Sequence, residues 1–251
     1  MIRIRAPSRI IKDILDNLAS VPNEYTDRYM PRWYKQPEYV EVWVEKNAMA
    51  GVMFAVLTES RHVRIVPNGG WASETYHHDN FIRLQAKKAV LDYELIKKYP
   101  DSPLQWSTGE TRKVTVLYYG DYDPTGSRIV KNLERDSKEI GVNFERVAIT
   151  KEQIIEYNLK QLKEEMTEDV KAKLRRDTNA RAFMSENDDM LFQIELDALN
   201  ALHPQDFISL LEGSVDKHFD ESIYQEVLND RIHSEKAIKR ELRKQVKGFK
   251  I

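Results

Sequence analysis

The sequence contains no cysteine, which excludes disulfide bonds and thiolate metal sites. It also lacks a long hydrophobic run, since no window approaches the roughly 18 uncharged apolar residues that a membrane helix needs. The first 18 residues carry charges of both signs and lack the uninterrupted apolar centre of a signal peptide. These absences predict a cytoplasmic protein with no membrane partner.

An excess of one charge is absent as well. The 39 Lys and Arg residues nearly balance the 41 Asp and Glu residues, which leaves a formal net charge of −2. Overall charge therefore does not indicate a polyanionic partner, and any nucleic-acid binding must depend on a local patch. A chain of 251 residues with 41% hydrophobic content can bury a sizeable core, in one large domain or two small ones.

Strand-like and helix-like segments alternate between residues 38 and 150. The segments rich in β-branched and aromatic residues, typical of strands, are 39–45, 62–70, 113–119 and 142–149. Helices are predicted over 46–60, from 73 to about 98, and over 124–141. This alternation predicts an α/β fold with a Rossmann-like parallel sheet of about four strands, flanked by helices.

Three regions are expected along the chain. Residues 1–37 form an N-terminal helix and arm, residues 38–200 form the α/β domain, and residues 201–251 form a helical extension. The N-terminal helix is expected over 9–19, ending before Pro22, and the polar stretch 99–112 is expected to be a loop. A highly charged insertion at 151–186 is predicted to be helical, and two helices are predicted between 204 and 249.

Three carboxylates follow predicted strands. Glu45 ends the first strand, and Asp121 and Asp123 follow the third. Because the carboxyl ends of parallel strands form one edge of the sheet, we expect these side chains to lie close together. Clustered carboxylates repel one another unless a cation neutralises them, and oxygen ligands without His or Cys favour Mg²⁺, with Mn²⁺ as an alternative. The pattern therefore predicts a catalytic metal site made of Glu45, Asp121 and Asp123.

A simpler alternative applies to Asp123. An aspartate directly before a proline, here Pro124, is typical of a helix N-cap. The helix predicted after it also directs its N-terminal amides toward the same edge of the sheet, an arrangement suited to a phosphate group.

The segments "VWVEKNA", "NGG" and "VLYYGDYDPTG" resemble those of a Toprim domain. The similarity is closest to the A subunit of type IIB topoisomerases (topoisomerase VI) and its relatives, and it covers roughly residues 38–205. The resemblance implies that Glu45, Asp121 and Asp123 bind Mg²⁺ and act on DNA phosphodiesters. It also places Glu195, in "IELDAL", at a later acidic position of the family, and it implies a homodimer and an ATPase (B-type) partner subunit.

The sequence departs from this family at its start. The resemblance implies a nucleophilic tyrosine on a winged-helix domain before the Toprim domain, yet only 44 residues precede Glu45. Three alternatives follow: a fragment without its cleavage domain, a chain that works with a partner, or a Toprim nuclease that uses metal-bound water.

Two other functions fit parts of the sequence. "DYDPT" also resembles the opening motif of haloacid-dehalogenase-type phosphatases, with Asp121 as nucleophile and Asp123 as acid/base, although two strand–helix units precede it here. A catalytically silent Toprim scaffold that binds DNA or a partner protein is the third hypothesis.

Several basic residues are candidates for contact with DNA. Lys46 adjoins Glu45 and Arg128 follows the two aspartates, whereas the others form a cluster within the charged insertion: Lys171, Lys173, Arg175 and Arg176. Such a cluster suits a nucleic-acid channel, although a charge run is also typical of a solvated face.

Overall fold

A four-stranded parallel sheet lies at the centre of the protein. The computed structural model describes residues 17–27, 30–68, 74–91, 107–159, 164–165, 167–169, 172, 175–188 and 192–248. The sheet has the order β2-β1-β5-β6, formed by β1 (Glu38–Val44), β2 (Arg64–Pro67), β5 (Lys113–Tyr119) and β6 (Asn143–Ala148). The predicted α/β fold with four parallel strands is therefore confirmed.

The two central strands are buried on both faces. After their first residues, β1 and β5 consist almost wholly of buried residues, as expected for parallel strands covered by helices. The covering helices are α2 (Asn47–Arg61), α3 (Glu74–Lys87) and α4 (Pro124–Glu139). α4 joins β5 to β6 and buries Ile129 and Leu133 in the core.

One charged residue is buried in the middle of β1. Glu41 is fully buried and forms an ion pair with Arg83 of α3. It also accepts hydrogen bonds from the Tyr39 hydroxyl (2.9 Å) and the Trp43 indole (3.3 Å). Because a buried carboxylate is tolerated only when it is paired, this cluster fixes α3 against the sheet.

The region after α3 differs from the prediction. The helix predicted to reach about residue 98 ends at Lys87, and β3 (Ala89–Leu91) pairs antiparallel with β4 (Ser107–Thr111). The loop predicted at 99–112 is therefore wrong for 107–111, whereas 92–106 lie outside the described residues. A backbone hydrogen bond from the Arg112 N–H to the Lys88 carbonyl (2.8 Å) lies next to this strand pair. Such a long-range contact has no local sequence signal.

The N-terminal helix also differs. In α1, residues 17–27, the helix continues through Pro22, so the predicted end before Pro22 is wrong; residues 9–16 lie outside the described part. A proline inside a helix removes one backbone hydrogen bond. Contacts with the C-terminal helix α9 (Glu221–Gly248) stabilise this end of α1, since Thr26 donates to Glu235 and Asp27 pairs with Arg231.

The charged insertion is only partly helical. It contains α5 (Lys151–Glu156) and α6 (Thr178–Glu186), and its β7 (Glu164–Glu165) pairs antiparallel with β8 (Phe192–Gln193), which follows the insertion. The pairing joins two segments that are separated along the chain, so no local sequence pattern predicts it.

The C-terminal region is helical as predicted. It comprises α7 (Leu196–Leu202), α8 (Pro204–Asp216) and α9. α8 places Phe207, Leu211 and Val215 in the same hydrophobic core as the sheet. Within the described residues, no helix combines the length and the apolar character needed to cross a membrane.

Candidate metal centre

Glu45 and Asp121 meet at the carboxyl edge of the sheet. β1 and β5 are paired up to Val44 and Tyr119, and the ladder continues with a bond from Glu45 N–H to the Tyr119 carbonyl (2.9 Å). The backbone N–H of Asp121 then donates to Glu45 Oε2 at 3.1 Å. The structure thus brings Glu45 and Asp121, two of the three acidic residues that the sequence singled out, into contact.

Gly120 makes this approach sterically feasible. A Cβ atom at this position would lie 2.6 Å from Glu45 Oε2 and 2.6 Å from Cε1 of Tyr118. The Tyr118 hydroxyl donates to the same Glu45 oxygen at 3.2 Å. Any side chain at position 120 would displace the Glu45 carboxylate from the end of β5.

Asp121 is held in place from several sides. It is only 6% exposed, and its Oδ1 accepts a 2.7 Å hydrogen bond from the Leu196 N–H. The chain before α7 lies alongside because Tyr122 and Ile194 exchange backbone bonds of 2.9 and 3.1 Å. The guanidinium of Arg146 donates to the Asp121 carbonyl at 2.8 Å. One carboxylate oxygen of Asp121 is therefore fixed by backbone from a distant part of the sequence.

Asp123 begins the next helix. Its Oδ1 accepts a 2.6 Å hydrogen bond from Gly126 N–H, so the predicted N-cap role is confirmed. Among the described residues, no other hydrogen bond to the Asp123 carboxylate is present, which leaves its second oxygen open to a ligand. The cap and a metal-binding role are compatible because they use different oxygen atoms.

The carboxylates at this edge are electrostatically strained. Burial, and then the charges of Asp121 and Asp123, raise the pKa of Glu45 to about 7, although the Asp121 N–H opposes the shift. Burial also raises the pKa of Asp121, against the hydrogen bond from Leu196 and the charge of Lys46. Both carboxylates would ionise more readily with an additional positive charge beside them.

Lys46 supplies part of that charge. Its Nζ lies 2.7 Å from Glu195 Oε2, 3.0 Å from Asp197 Oδ1 and 3.7 Å from Asp121 Oδ2. Partial burial acts to lower the pKa of Lys46, but the hydrogen bonds to Glu195 and Asp197 outweigh it and raise the pKa. Lys46 is predicted as a DNA contact, and its bridge to Glu195 and Asp197 has no local sequence signal because these residues lie about 150 positions further along the chain.

The other predicted DNA contacts lie in different places. Arg128 is half-buried in α4, five residues after Asp123, whereas Arg175 and Arg176 are exposed just before α6. Lys171 and Lys173 lie outside the described residues. Contact with DNA by any of these side chains, including Lys46, stays a prediction.

The donor chemistry of the edge fits Mg²⁺. Glu45, Asp121 and Asp123 offer only carboxylate oxygens, and each commits one oxygen to a backbone N–H. Across the described ranges, no three or more His, Asp or Glu side chains already converge as a metal cluster. A shared ion would therefore require the uncommitted oxygens to turn toward it.

No protein-family model matches the chain, and neither a curated protein nor a solved structure matches it. Function must therefore be inferred from the carboxylates at the sheet edge and their surroundings.

Proposed function

We propose that the protein is a Mg²⁺-dependent, DNA-acting Toprim protein that cleaves phosphodiester bonds. The observation that supports this most is the contact between Glu45 and Asp121 at the carboxyl edge of adjacent central strands, with Asp123 two residues further on. These are the positions and the order of the acidic residues in the Toprim resemblance. Mn²⁺ would bind the same set of oxygen ligands.

In this proposal Glu45, Asp121 and Asp123 hold the cation. When bound, the cation supplies positive charge to the scissile phosphate and the leaving oxygen. The chain's own residues orient the ligands: Leu196 N–H fixes Asp121, while Tyr118 and the Asp121 N–H hold Glu45. The N-terminal end of α4 adds partial positive charge on the side where the phosphate would lie.

The surroundings of Asp121 favour this role over that of a phosphatase nucleophile. A nucleophilic carboxylate must reach the phosphorus of its substrate, whereas Asp121 is 6% exposed and one of its oxygens is bonded to Leu196 N–H. Rapid hydrolysis of a small chromogenic phosphomonoester, lost in Asp121→Asn, would support the phosphatase instead.

The form of cleavage separates two versions of the proposal. A topoisomerase VI A-like subunit, working with a B-type ATPase subunit, would leave a covalent protein–DNA product through a tyrosine. A Toprim nuclease would release free DNA ends without such an adduct. Denaturing electrophoresis of labelled DNA after the reaction distinguishes them.

Plasmid nicking tests the proposed function. Wild-type protein should nick supercoiled DNA with Mg²⁺ or Mn²⁺ and not with EDTA, and Asp123→Asn should lower the rate by about 100-fold or more. The amide keeps the cap bond with Gly126 N–H but loses the charge that a cation needs. DNA binding in a gel shift should persist in the variant, because it rests on basic residues, and should weaken as salt rises.

Asp136→Asn is the matched control. Asp136 lies on the same helix, α4, 13 residues after Asp123, and pairs with its neighbour Arg135 at the surface. This variant should cleave at the wild-type rate. Equal cleavage by wild type and Asp123→Asn would place the active site elsewhere, and DNA binding without cleavage by either would favour the silent scaffold.

A further inference from the structure

Asn68, the first residue after β2, is buried, and its side chain has no hydrogen-bond partner among the residues that the structure describes. It is 2% exposed, and its backbone N–H continues the ladder to the Val44 carbonyl at 2.7 Å. Neither Nδ2 nor Oδ1 of its side chain forms a hydrogen bond with this part of the chain. An amide group can donate two hydrogen bonds and accept two, and buried polar groups are nearly always paired. The amide of Asn68 is therefore one of the few buried polar groups of the described residues that have an uncommitted donor or acceptor, and on this amide both are uncommitted.

Among the described residues, two further asparagines are buried, and both have hydrogen bonds at both ends of the side-chain amide. Asn80 donates to the Tyr76 carbonyl (3.0 Å) and accepts from Arg83 (2.8 Å). Asn187 donates to the Phe183 carbonyl (2.8 Å) and accepts from the Tyr122 hydroxyl (3.2 Å). The lack of partners is thus particular to Asn68 and does not reflect how this fold buries asparagine.

The sheet register places Asn68 beside Glu45. β1 and β2 pair Trp43 with Val66 and Val44 with Pro67, so the next pair is Glu45 with Asn68. Residues opposite each other in parallel strands project from the same face, and neighbouring strands lie about 4.8 Å apart. Asn68 and Glu45 are therefore neighbours on one face of the sheet, at the edge that carries the carboxylates.

Glu45 forms no hydrogen bond with the side-chain amide of Asn68. Its carboxylate is directed toward β5, where Oε2 accepts from Asp121 N–H and the Tyr118 hydroxyl above Gly120. The register thus places Asn68 next to Glu45 at the carboxyl edge of the sheet, on the side of Glu45 away from β5.

We propose that Asn68 is a further binding residue of the metal centre, with Oδ1 accepting the divalent cation directly or through one of its bound waters; this rests on the proposed function. Side-chain amide oxygens are hard ligands of the kind that Mg²⁺ and its water shell accept. A neutral ligand also suits this position, because a fourth carboxylate would add to the repulsion among Glu45, Asp121 and Asp123.

Thermal melting of Asn68→Leu, in EDTA and across a Mg²⁺ titration, tests the proposal. Leucine has a similar size and no polar atoms, so without metal the variant should melt above wild type, because a buried unpaired amide has been removed. With Mg²⁺ the wild type should gain more stability than the variant, and the apparent Kd of the variant for Mg²⁺ should be weaker by about 10-fold or more.

Ser137→Ala is the matched control. The Ser137 hydroxyl is also buried and has no hydrogen-bond partner within the described ranges, but it lies 14 residues after Asp123, about 20 Å away along α4. Its removal should leave the response to Mg²⁺ unchanged. If Asn68→Leu does not fold, Asn68→Ala is measured in its place.

Two results would overturn the inference while leaving the proposed function intact: a Mg²⁺ response of Asn68→Leu equal to that of wild type, or a variant that melts below wild type in EDTA with an unchanged Kd. A wild-type protein whose melting temperature does not respond to Mg²⁺ at all would overturn both.

Discussion

At the scale of single residues, Gly120 determines how closely Glu45 can approach Asp121. The position has no room for a Cβ, since the nearest atoms belong to Glu45 and Tyr118. Gly51, in α2, offers a contrast, because a Cβ there would meet no atom within 4 Å.

Gly120→Ala should therefore disturb the carboxylates, and Gly51→Ala should not. We expect Gly120→Ala to lower the free energy of unfolding and to weaken the stabilisation by Mg²⁺. Gly51→Ala should raise the free energy of unfolding by about 0.5–1 kcal/mol through helix propensity alone. Urea denaturation with and without Mg²⁺ measures both effects, and an unchanged Mg²⁺ response in Gly120→Ala would contradict this account of the edge.

The residues of the candidate site differed in how far they could be predicted. Glu45, Asp121 and Asp123 stand in short motifs at strand ends, so parallel-sheet geometry alone predicts that they lie near one another. Glu195 and Asp197, which pair with Lys46, and the Leu196 N–H that binds Asp121 all belong to one segment, which begins more than 70 residues after Asp121. The unpaired amide of Asn68 is a property of packing, which no local pattern reports.

At the scale of elements, the start of β1 is tied to the turn between α8 and α9. Glu38 Oε2 lies 3.0 Å from Nδ1 of His218, and Thr115 of β5 also donates to Glu38. Burial alone would raise the pKa of Glu38, but the hydrogen bonds from Thr115 and His218 outweigh it and lower the pKa below 4.5.

Stability should depend on pH through this contact. A carboxylate whose pKa is depressed in the folded state stabilises the protein above its unfolded pKa, and this stabilisation is lost as the pH falls through the folded value. Glu38→Gln should therefore lower the melting temperature at neutral pH by a few degrees, corresponding to about 1 kcal/mol. The difference from wild type should shrink as the pH falls below the ordinary pKa of a glutamate, about 4.3, and toward the lower folded-state value. A difference independent of pH in calorimetric scans would refute the assignment.

Among the elements, prediction succeeded where the local signals agreed. α4 has an N-cap aspartate, a proline in its first turn and an apolar face, and β5 is a run of β-branched, leucine and tyrosine residues after Lys113. It failed after α3, where β3 and β4 pair across residues 92–106. A two-stranded pair of this kind depends on which segments meet in space, and polar residues such as those of β4 carry little strand signal.

At the scale of the whole molecule, the two ends of the chain pack together. Met30 and Tyr34 of the N-terminal arm form a small buried cluster with Val227 of α9, and Lys35 pairs with Asp230 at 2.8 Å. The sequence predicts these segments as separate regions, because contacts between residues about 200 positions apart leave no periodic signal.

We expect the protein to form a homodimer, as the resemblance to topoisomerase VI implies. The sequence predicts an isoleucine-rich helical face over residues 10–15, which lie outside the described part of the chain, and such a face would suit contact with a second copy. Sedimentation velocity should show a species of twice the 29.5 kDa chain mass, and Ile14→Glu should shift it toward monomer. A wild-type monomer at high micromolar concentration would contradict the expectation.

The central claim is that a divalent cation binds at the carboxyl edge of β1 and β5. Anomalous X-ray scattering from crystals soaked in Mn²⁺ tests it most directly, because the ion's position is observed without reference to activity. We predict an anomalous peak in direct contact with carboxylate oxygens of Glu45 and Asp121, absent from crystals of the Glu45→Gln variant. A peak only at other sites, or an edge without any peak at saturating Mn²⁺, would contradict the account.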